Sequence, residues 1–251
     1  MEFKKQPFIP MLFGGDINTY SVARAFYEEY QVKTYVFGKF PSGPSYNSNI
    51  IEYHANLKID TDEVFMQTVR DFAAAHADKT VLTIGCGDSY VALCSRHKDE
   101  MPENVIAPYI DFELMDRLQQ KELFYRLCRE HDIDFPDTLV FRHGMDLDFE
   151  LPFSFPVILK PSNSVMYWEH EFPTQEKVYK LITTKIKDTI RQIYDAGYTD
   201  SLIIQDTIPG NDEFMRVLTC FSGKDKKCKN DVSRTRSLRG TIHHTVPVTM
   251  P

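Results

Sequence analysis

The sequence predicts an α/β protein whose first part carries a parallel sheet and whose second part is an α+β unit. Three observations lead to this prediction. Apolar runs alternate with helical patterns up to about residue 110, glycine-rich turns follow two of those runs, and the composition changes near Pro108. Strands that alternate with helices imply parallel pairing through crossover connections.

In the first part, each predicted strand leads through a turn into a helix. The run at 8–13 is followed by Gly14-Gly15-Asp16 and a helix at 18–30. The run at 80–84 is followed in the same way by Gly85-Cys86-Gly87-Asp88 and another helix. Further predicted elements are a strand at 33–37, a loop at 41–49 and a helix at 62–77.

The second part is predicted to hold longer helices and short strands. The predicted helices lie at 113–131 and, with some interruption, at 174–196. The predicted strands lie at 138–141, 157–159, 202–205 and 215–222.

Composition and charge argue against several functions. The 251 residues carry a net charge of −7, which argues against a nucleic-acid-binding surface. No apolar run approaches the roughly 20 residues of a membrane-spanning helix. The N-terminus lacks the apolar core of a signal peptide, and the five cysteines show no disulfide or zinc spacing. We therefore expect a cytoplasmic protein with reduced thiols, no nucleic-acid partner and no membrane span.

The glycine turns have a functional and a structural interpretation. Exposed N–H groups at a helix start can bind an anion, which makes Gly14, Gly15 and Asp16 candidate substrate-binding residues. Glycine also simply permits a tight turn, and we favour this second interpretation. Neither turn matches Gly-x-Gly-x-x-Gly, so a dinucleotide fingerprint is absent. The eight histidines show no metal-binding spacing, so no metal site is predicted from them.

Lys160 is the strongest single candidate for function. It ends the apolar run 157–159, and a lysine at the end of a buried strand needs a partner, for which phosphate is a common choice. Lys121 lies on the predicted helix and by itself would be a solvated residue. The run 201–204 ends in Gln205 and Asp206, whose polar groups suit an adenine edge.

A small polar loop follows Lys160. Ser162, Asn163 and Ser164 can cap a turn, or they can offer hydroxyl and N–H groups to phosphate oxygens. Tyr167 and Trp168 form either the tip of this loop or its anchor, and the sequence leaves both interpretations open.

In their order and spacing, these segments resemble an ATP-grasp carboxylate–amine ligase, similar to the D-aspartate ligases of bacterial cell-wall synthesis. Residues 114–128 with Pro136 and Thr138 resemble the start of the small ATP-grasp subdomain. Residues 155–164 resemble its lysine-bearing strand and phosphate loop, and residues 203–212 resemble the hinge. The resemblance covers roughly residues 8–222.

The resemblance implies a domain organisation and a set of ATP-binding residues. The implied domains are a Rossmann-like domain at 1–110, a small ATP-grasp subdomain at 111–205, the start of a large subdomain at 206–228 and an aberrant tail at 229–251. The implied phosphate-binding residues are Lys121, Lys160, Ser162, Asn163 and Ser164. The implied adenine contacts are Gln205, Asp206, Thr207 and Ile208, and the implied ribose contact is Asp212. Mg²⁺ is implied as well, with its ligands expected in a C-terminal part that is missing here.

Residues 229–251 depart from the family pattern, since Arg and Thr dominate and periodicity is lost. When residues 242–251 are read from the third base of each codon, they permit a Thr-Pro-x-Gly-x-Gly-Asn-His-Ala segment similar to the ligases. We interpret the tail as a frameshift product, and we expect little or no ligase activity from the chain as given.

The resemblance thus implies an ATP-dependent ligase that joins a small carboxylate to an amine through an acyl phosphate. One alternative is a non-catalytic nucleotide- or metabolite-binding module. Another is a Rossmann-type enzyme that uses the turn at residues 14–16, which the missing fingerprint disfavours. A homo-oligomer is compatible with the sequence.

Overall fold

The computed structural model describes residues 3–41, 43–181, 185–210, 213, 216–223, 225 and 227–235. It confirms the predicted mixed α/β class, with one parallel and one antiparallel sheet as its main layers. Within the described residues, no helix combines the length and apolarity needed to cross a membrane.

The first sheet is parallel throughout and has the strand order β3-β2-β1-β4-β5. Its strands are β1 (Phe8–Phe13), β2 (Thr34–Gly38), β3 (Ile51–Ala55), β4 (Thr80–Gly85) and β5 (Val105–Ile106). The helices of this part are α1 (Ile17–Tyr30), α2 (Gly43–Tyr46), α3 (Asp62–Ala75) and α4 (Asp88–Arg96). A short 3₁₀ turn covers Lys98–Glu100.

The two faces of this sheet are both covered, as a parallel sheet requires. Successive residues of β1 point to opposite faces. Met11 and Phe13 accordingly belong to the cluster packed with α3, whereas Leu12 belongs to the cluster packed with α1. The edge strands β3 and β5 were not predicted, because β3 carries Glu52, Tyr53 and His54 and β5 has two residues.

The second sheet is antiparallel and has the strand order β6-β9-β7-β8. Its strands are β6 (Thr138–Phe141), β7 (Val157–Pro161), β8 (Tyr179–Leu181) and β9 (Leu202–Asp206). The helices of this part are α5 (Phe112–Gln119), α6 (Lys121–Glu130), α7 (Ser164–Trp168) and α8 (Ile186–Asp195). Two further strands, β10 (Arg216–Ser222) and β11 (Cys228–Thr235), form an antiparallel pair.

Two predictions about the second part need correction. The helix predicted at 113–131 is two helices, because Gln120 adopts extended backbone angles between them. The stretch predicted as mostly helical at 174–196 contains β8, which pairs with β7, and α8 begins at Ile186. Residues 229–235 belong to β11, and the interpretation of residues 229–251 as an aberrant tail stays a prediction.

One side of the second sheet packs on α8 through fully buried side chains. Ile186, Ile190 and Ile193 form the buried stripe of α8, at the spacing of one helix face. They pack with Val157 and Leu159 of β7 in one cluster. This cluster fixes the sheet whose other side carries the candidate site.

We expect Ile190→Ala to lower the free energy of unfolding by about 2–5 kcal/mol, because Ile190 has no exposed surface and the substitution leaves a cavity. The control is Ile208→Ala, whose side chain is 70% exposed and should change stability by less than about 0.5 kcal/mol. Urea denaturation of the two variants beside the parent chain checks this. Equal losses in both variants would contradict the assignment of the core.

Candidate nucleotide site

Two lysines from different elements meet on one face of the second sheet. Lys160 lies in β7, where Val157, Leu159 and Pro161 point into the core and Lys160 points to the other face. Lys121 is the first residue of α6. The resemblance had assigned both lysines to ATP phosphates, and the structure brings them together.

Strand register places two polar side chains on the same face as Lys160. Gln205 of β9 pairs with Ile158 of β7 and with Thr138 of β6. Residues directly opposite each other in an antiparallel pair share a face, and Ile158 and Lys160 are two residues apart. Thr138, Gln205 and Lys160 therefore form a row across β6, β9 and β7.

The ammonium group of Lys160 is held by two neutral oxygens. Its Nζ donates to Oη of Tyr125 at 2.8 Å and to Oε1 of Gln205 at 2.8 Å. Oη of Tyr125 donates to the same Oε1 at 3.2 Å. Neither this ammonium group nor that of Lys121 forms an ion pair within the described part of the chain.

Lys121 reaches the loop after β7. Its Nζ donates to Oγ of Ser164 at 2.9 Å and lies 3.4 Å from the carbonyl oxygen of Ser162. Burial lowers the pKa of Lys121, and the positive charges of Lys160 and Lys177 lower it further. Asp88 acts in the opposite direction and more weakly. Two positive charges thus share a partly buried space in which the described contacts are to neutral groups.

Hydrogen bonds to Ser162 and Asn163 fix the base of the predicted phosphate loop. The side chain of Ser162 is buried, and its Oγ accepts from the backbone N–H of Glu122 at 3.3 Å. The N–H of Ser162 donates to the carbonyl of Ser201 at 3.0 Å, and that of Asn163 donates to Oη of Tyr198 at 3.2 Å. Oδ1 of Asn163 accepts from the N–H of Met166 in the short helix α7. These bonds fix the loop's base, while Ser164 meets Lys121.

The question that the sequence left open about Tyr167 and Trp168 is decided. Tyr167 is fully buried and bonds Tyr179 and the carbonyl of Glu176, so it anchors the loop. Trp168 is half exposed. Glu122 adds a second anchor, since its carboxylate accepts from Arg142 at 2.6 Å and from Ser201 at 3.1 Å.

The predicted adenine-binding residues lie at the end of β9. The Gln205 side chain is buried and faces Lys160. Asp206 accepts from the N–H of Thr207 at 2.7 Å, and Oγ1 of Thr207 donates to the carbonyl of Pro156 at 2.7 Å. Ile208 is exposed. Asp212 lies outside the described residues, and the adenine and ribose contacts stay predictions.

The turn at residues 14–16 lines a cavity of about 290 Å³ at the carboxyl ends of β1, β2 and β4. Asp16 caps α1 by accepting from the N–H groups of Asn18 and Thr19 at 3.1 Å. Gly14 has a φ of 148°, and a Cβ there would lie 2.3 Å from Oγ1 of Thr19. Asp16 and Gly14 thus support the local structure of the turn, while substrate binding there stays a prediction. The cavity beside the turn is also lined by Lys39 and Tyr90.

Tyr125 and Glu122 were missed by the sequence analysis. Tyr125 lies four residues after Lys121 on α6, a spacing that puts both side chains on one face of a helix. That spacing is the signal that could have found it. For the expected Mg²⁺, no group of three or more His, Cys, Asp or Glu side chains is placed to hold a metal ion among the described residues.

Comparison with solved structures identifies the class of enzymes whose fold this chain shares. An L-amino acid ligase from Bacillus licheniformis superimposes with a TM-score of 0.58 at 14% identity, covering 99% of this chain and 56% of that one. An ADP complex of N5-carboxyaminoimidazole ribonucleotide synthetase gives a TM-score of 0.61 at 12% identity, covering 94% and 56%. The fold is therefore that of ATP-grasp carboxylate–amine ligases.

Sequence similarity narrows the resemblance. A D-aspartate ligase from Enterococcus faecium (strain Aus0004) is 40% identical over 234 residues, which cover 90% of this chain and 56% of the relative. The chain thus spans just over half the length of this ligase. No family model matches the chain. The predicted similarity to ATP-grasp ligases, and to D-aspartate ligases among them, is confirmed.

The lowered pKa of Lys121 predicts a pH effect on stability. Because the folded chain holds this proton less tightly than a free lysine of pKa 10.5, the unfolded chain binds more protons between the two pKa values. Stability from this group therefore rises with pH in that window. We expect the parent chain to gain stability relative to Lys121→Met as the pH rises from 7 toward about 10.5.

Urea unfolding of both proteins at several pH values measures this difference. Lys187→Met is the control, because it removes a lysine from α8, on the opposite side of the same sheet. A parent chain that loses stability relative to Lys121→Met over this window would contradict the assignment.

Proposed function

We propose that the protein represented by this chain is an ATP-dependent carboxylate–amine ligase, and that Lys121 and Lys160 bind ATP phosphates. The observation that carries the proposal is the pair of ammonium groups that share one partly buried space and contact neutral oxygens. Unpaired positive charge in such a space is unfavourable until an anion enters. A polyphosphate offers several charge-assisted acceptors at once.

In the proposed reaction, a carboxylate oxygen of the substrate attacks the γ-phosphorus of ATP. The bond to the β-phosphate oxygen breaks, ADP leaves, and an acyl phosphate forms. The nitrogen of an amine then attacks the acyl carbon, inorganic phosphate leaves, and the nitrogen loses a proton. The lysines hold the phosphates in place and offset their negative charge, which is the main protein contribution to phosphoryl transfer.

The substrate carboxylate is proposed to bind in the cavity beside Gly14, Gly15 and Asp16. This cavity lies at the carboxyl edge of a parallel sheet, where ligands of α/β folds commonly bind. Lys39 lines it, although its Nζ also pairs with Asp60 at 2.7 Å. By the name of the 40% identical relative, we propose D-aspartate as the carboxylate substrate.

We also propose that Mg²⁺ binds together with the ATP phosphates, where it would supply further positive charge. The described residues offer no set of three metal-ligating side chains, so no step is derived through the metal. The amine, and a role in cell-wall synthesis, follow from the resemblance alone and remain proposals.

Nucleotide binding tests the proposal first. We expect Lys160→Ala to raise the Kd for ATP by about 10- to 100-fold, the cost of losing a charge-assisted hydrogen bond to phosphate. Lys187→Ala is the matched control, since it removes a lysine from α8, which packs on the opposite face of the sheet. Isothermal titration of both variants and the parent chain, with ATP and with NAD, measures these affinities. NAD binding without ATP binding would instead support a Rossmann-type enzyme.

Phosphate release against a panel of amino acids tests the substrate. A version extended to the length of the D-aspartate ligase relative should release phosphate from ATP faster with D-aspartate than with L-aspartate or D-alanine. ATP binding without release in the presence of any amino acid would favour the alternative, a non-catalytic nucleotide-binding module. For the 251-residue chain assayed alone, little or no turnover stays the prediction, and robust turnover would contradict it.

A further inference from the structure

Lys160 depends for its position on a residue that the resemblance does not assign. A lysine side chain has four rotatable carbons and a compact charge, so its ammonium group is placed by its neighbours rather than by its own stem. Here those neighbours are Oη of Tyr125 and Oε1 of Gln205, each 2.8 Å from Nζ.

The Tyr125 ring is itself fixed. It stacks on Phe135 with ring centroids 5.3 Å apart and planes inclined by 24°. It also projects from the same helix as Lys121, one turn further on. A stacked ring on a helix has little freedom, so its hydroxyl is a rigid point of attachment for the ammonium group.

The direction of the Gln205 carboxamide follows from a chain of hydrogen bonds. The hydroxyl of Thr138 donates to the carbonyl of Pro136 at 2.7 Å, which leaves its oxygen as an acceptor. Nε2 of Gln205 donates to that oxygen at 2.9 Å. Oε1 must therefore face the opposite way, toward Tyr125 and Lys160.

We propose that Tyr125 is a positioning residue for phosphate binding: its hydroxyl, with the Gln205 oxygen, aims the Lys160 ammonium group at a phosphate without neutralising it. An ammonium group has three donors, and two of them meet these neutral oxygens. The third donor and the full charge are left for the ligand. A carboxylate at either position would hold the lysine equally well but would offset its charge.

This inference rests on the proposed ATP site and is tested by Tyr125→Phe. The variant keeps the ring and its stack on Phe135 and removes the hydroxyl. We expect the Kd for ATP to rise roughly three- to tenfold, the range for one hydrogen bond. The Kd for adenosine, which has no phosphate, should stay within about twofold, and this comparison separates positioning of the lysine from a general loss of structure.

Tyr194→Phe is the matched control. Its hydroxyl donates to the carbonyl of Phe141 at 3.1 Å, in the same part of the chain but with no bond to either lysine. The affinities of this variant for ATP and for adenosine should both match those of the parent.

The outcomes separate this inference from the function on which it rests. A Lys160→Ala variant that binds ATP like the parent would overturn both. A second possible result is that Lys160→Ala weakens ATP binding while Tyr125→Phe keeps the Kd for ATP within about twofold of the parent value. That result would contradict the role of Tyr125 and would still support the ATP site. An equal loss of ATP and adenosine affinity in Tyr125→Phe would also overturn the inference, because it would indicate a structural role.

Discussion

The contact of the Lys160 ammonium group with two neutral oxygens is the interaction on which this site depends. This contact lies next to Lys121, a second lysine, and burial lowers the pKa of Lys121. Two like charges in a partly buried space oppose folding rather than favour it. The described contacts hold the charges in place without cancelling them. An anion that entered this site would relieve the repulsion between the two charges, which is why we propose a polyphosphate as its ligand.

The antiparallel sheet allows this arrangement because its two faces do different tasks. The face that carries Val157, Leu159 and Ile204 packs on α8 and holds the sheet rigid. The other face carries Lys160 and Gln205 and receives α6. Alternation of side chains along a strand makes it possible for adjacent residues to serve stability and binding at once. Anchors such as Glu122 and Tyr198 then fix the loop after β7 to this framework.

Sequence reasoning found what the pattern of a single segment can show. The buried strands β1, β4, β7 and β9 were predicted because apolar runs mark them, and Lys160 stood out because a charge follows such a run. Edge strands such as β3 and β8 were not predicted. An edge strand pairs with a neighbour on one side alone, and the composition of these two strands is mixed rather than apolar. Tyr125 escaped for a different reason. Its role depends on a hydrogen bond to a residue 35 positions away, which no local pattern encodes.

Labelling with an acyl-phosphate derivative of ATP tests the central claim most directly, because this reagent acylates lysines that lie beside bound phosphates. Digestion and mass spectrometry then identify the modified residues. We expect the label on Lys160 or Lys121, and we expect excess ATP to suppress it there. Lysines elsewhere, such as Lys58 and Lys187, should show only weak labelling that ATP does not change. Labelling of both site lysines no faster than these, or unaffected by ATP, would contradict the account.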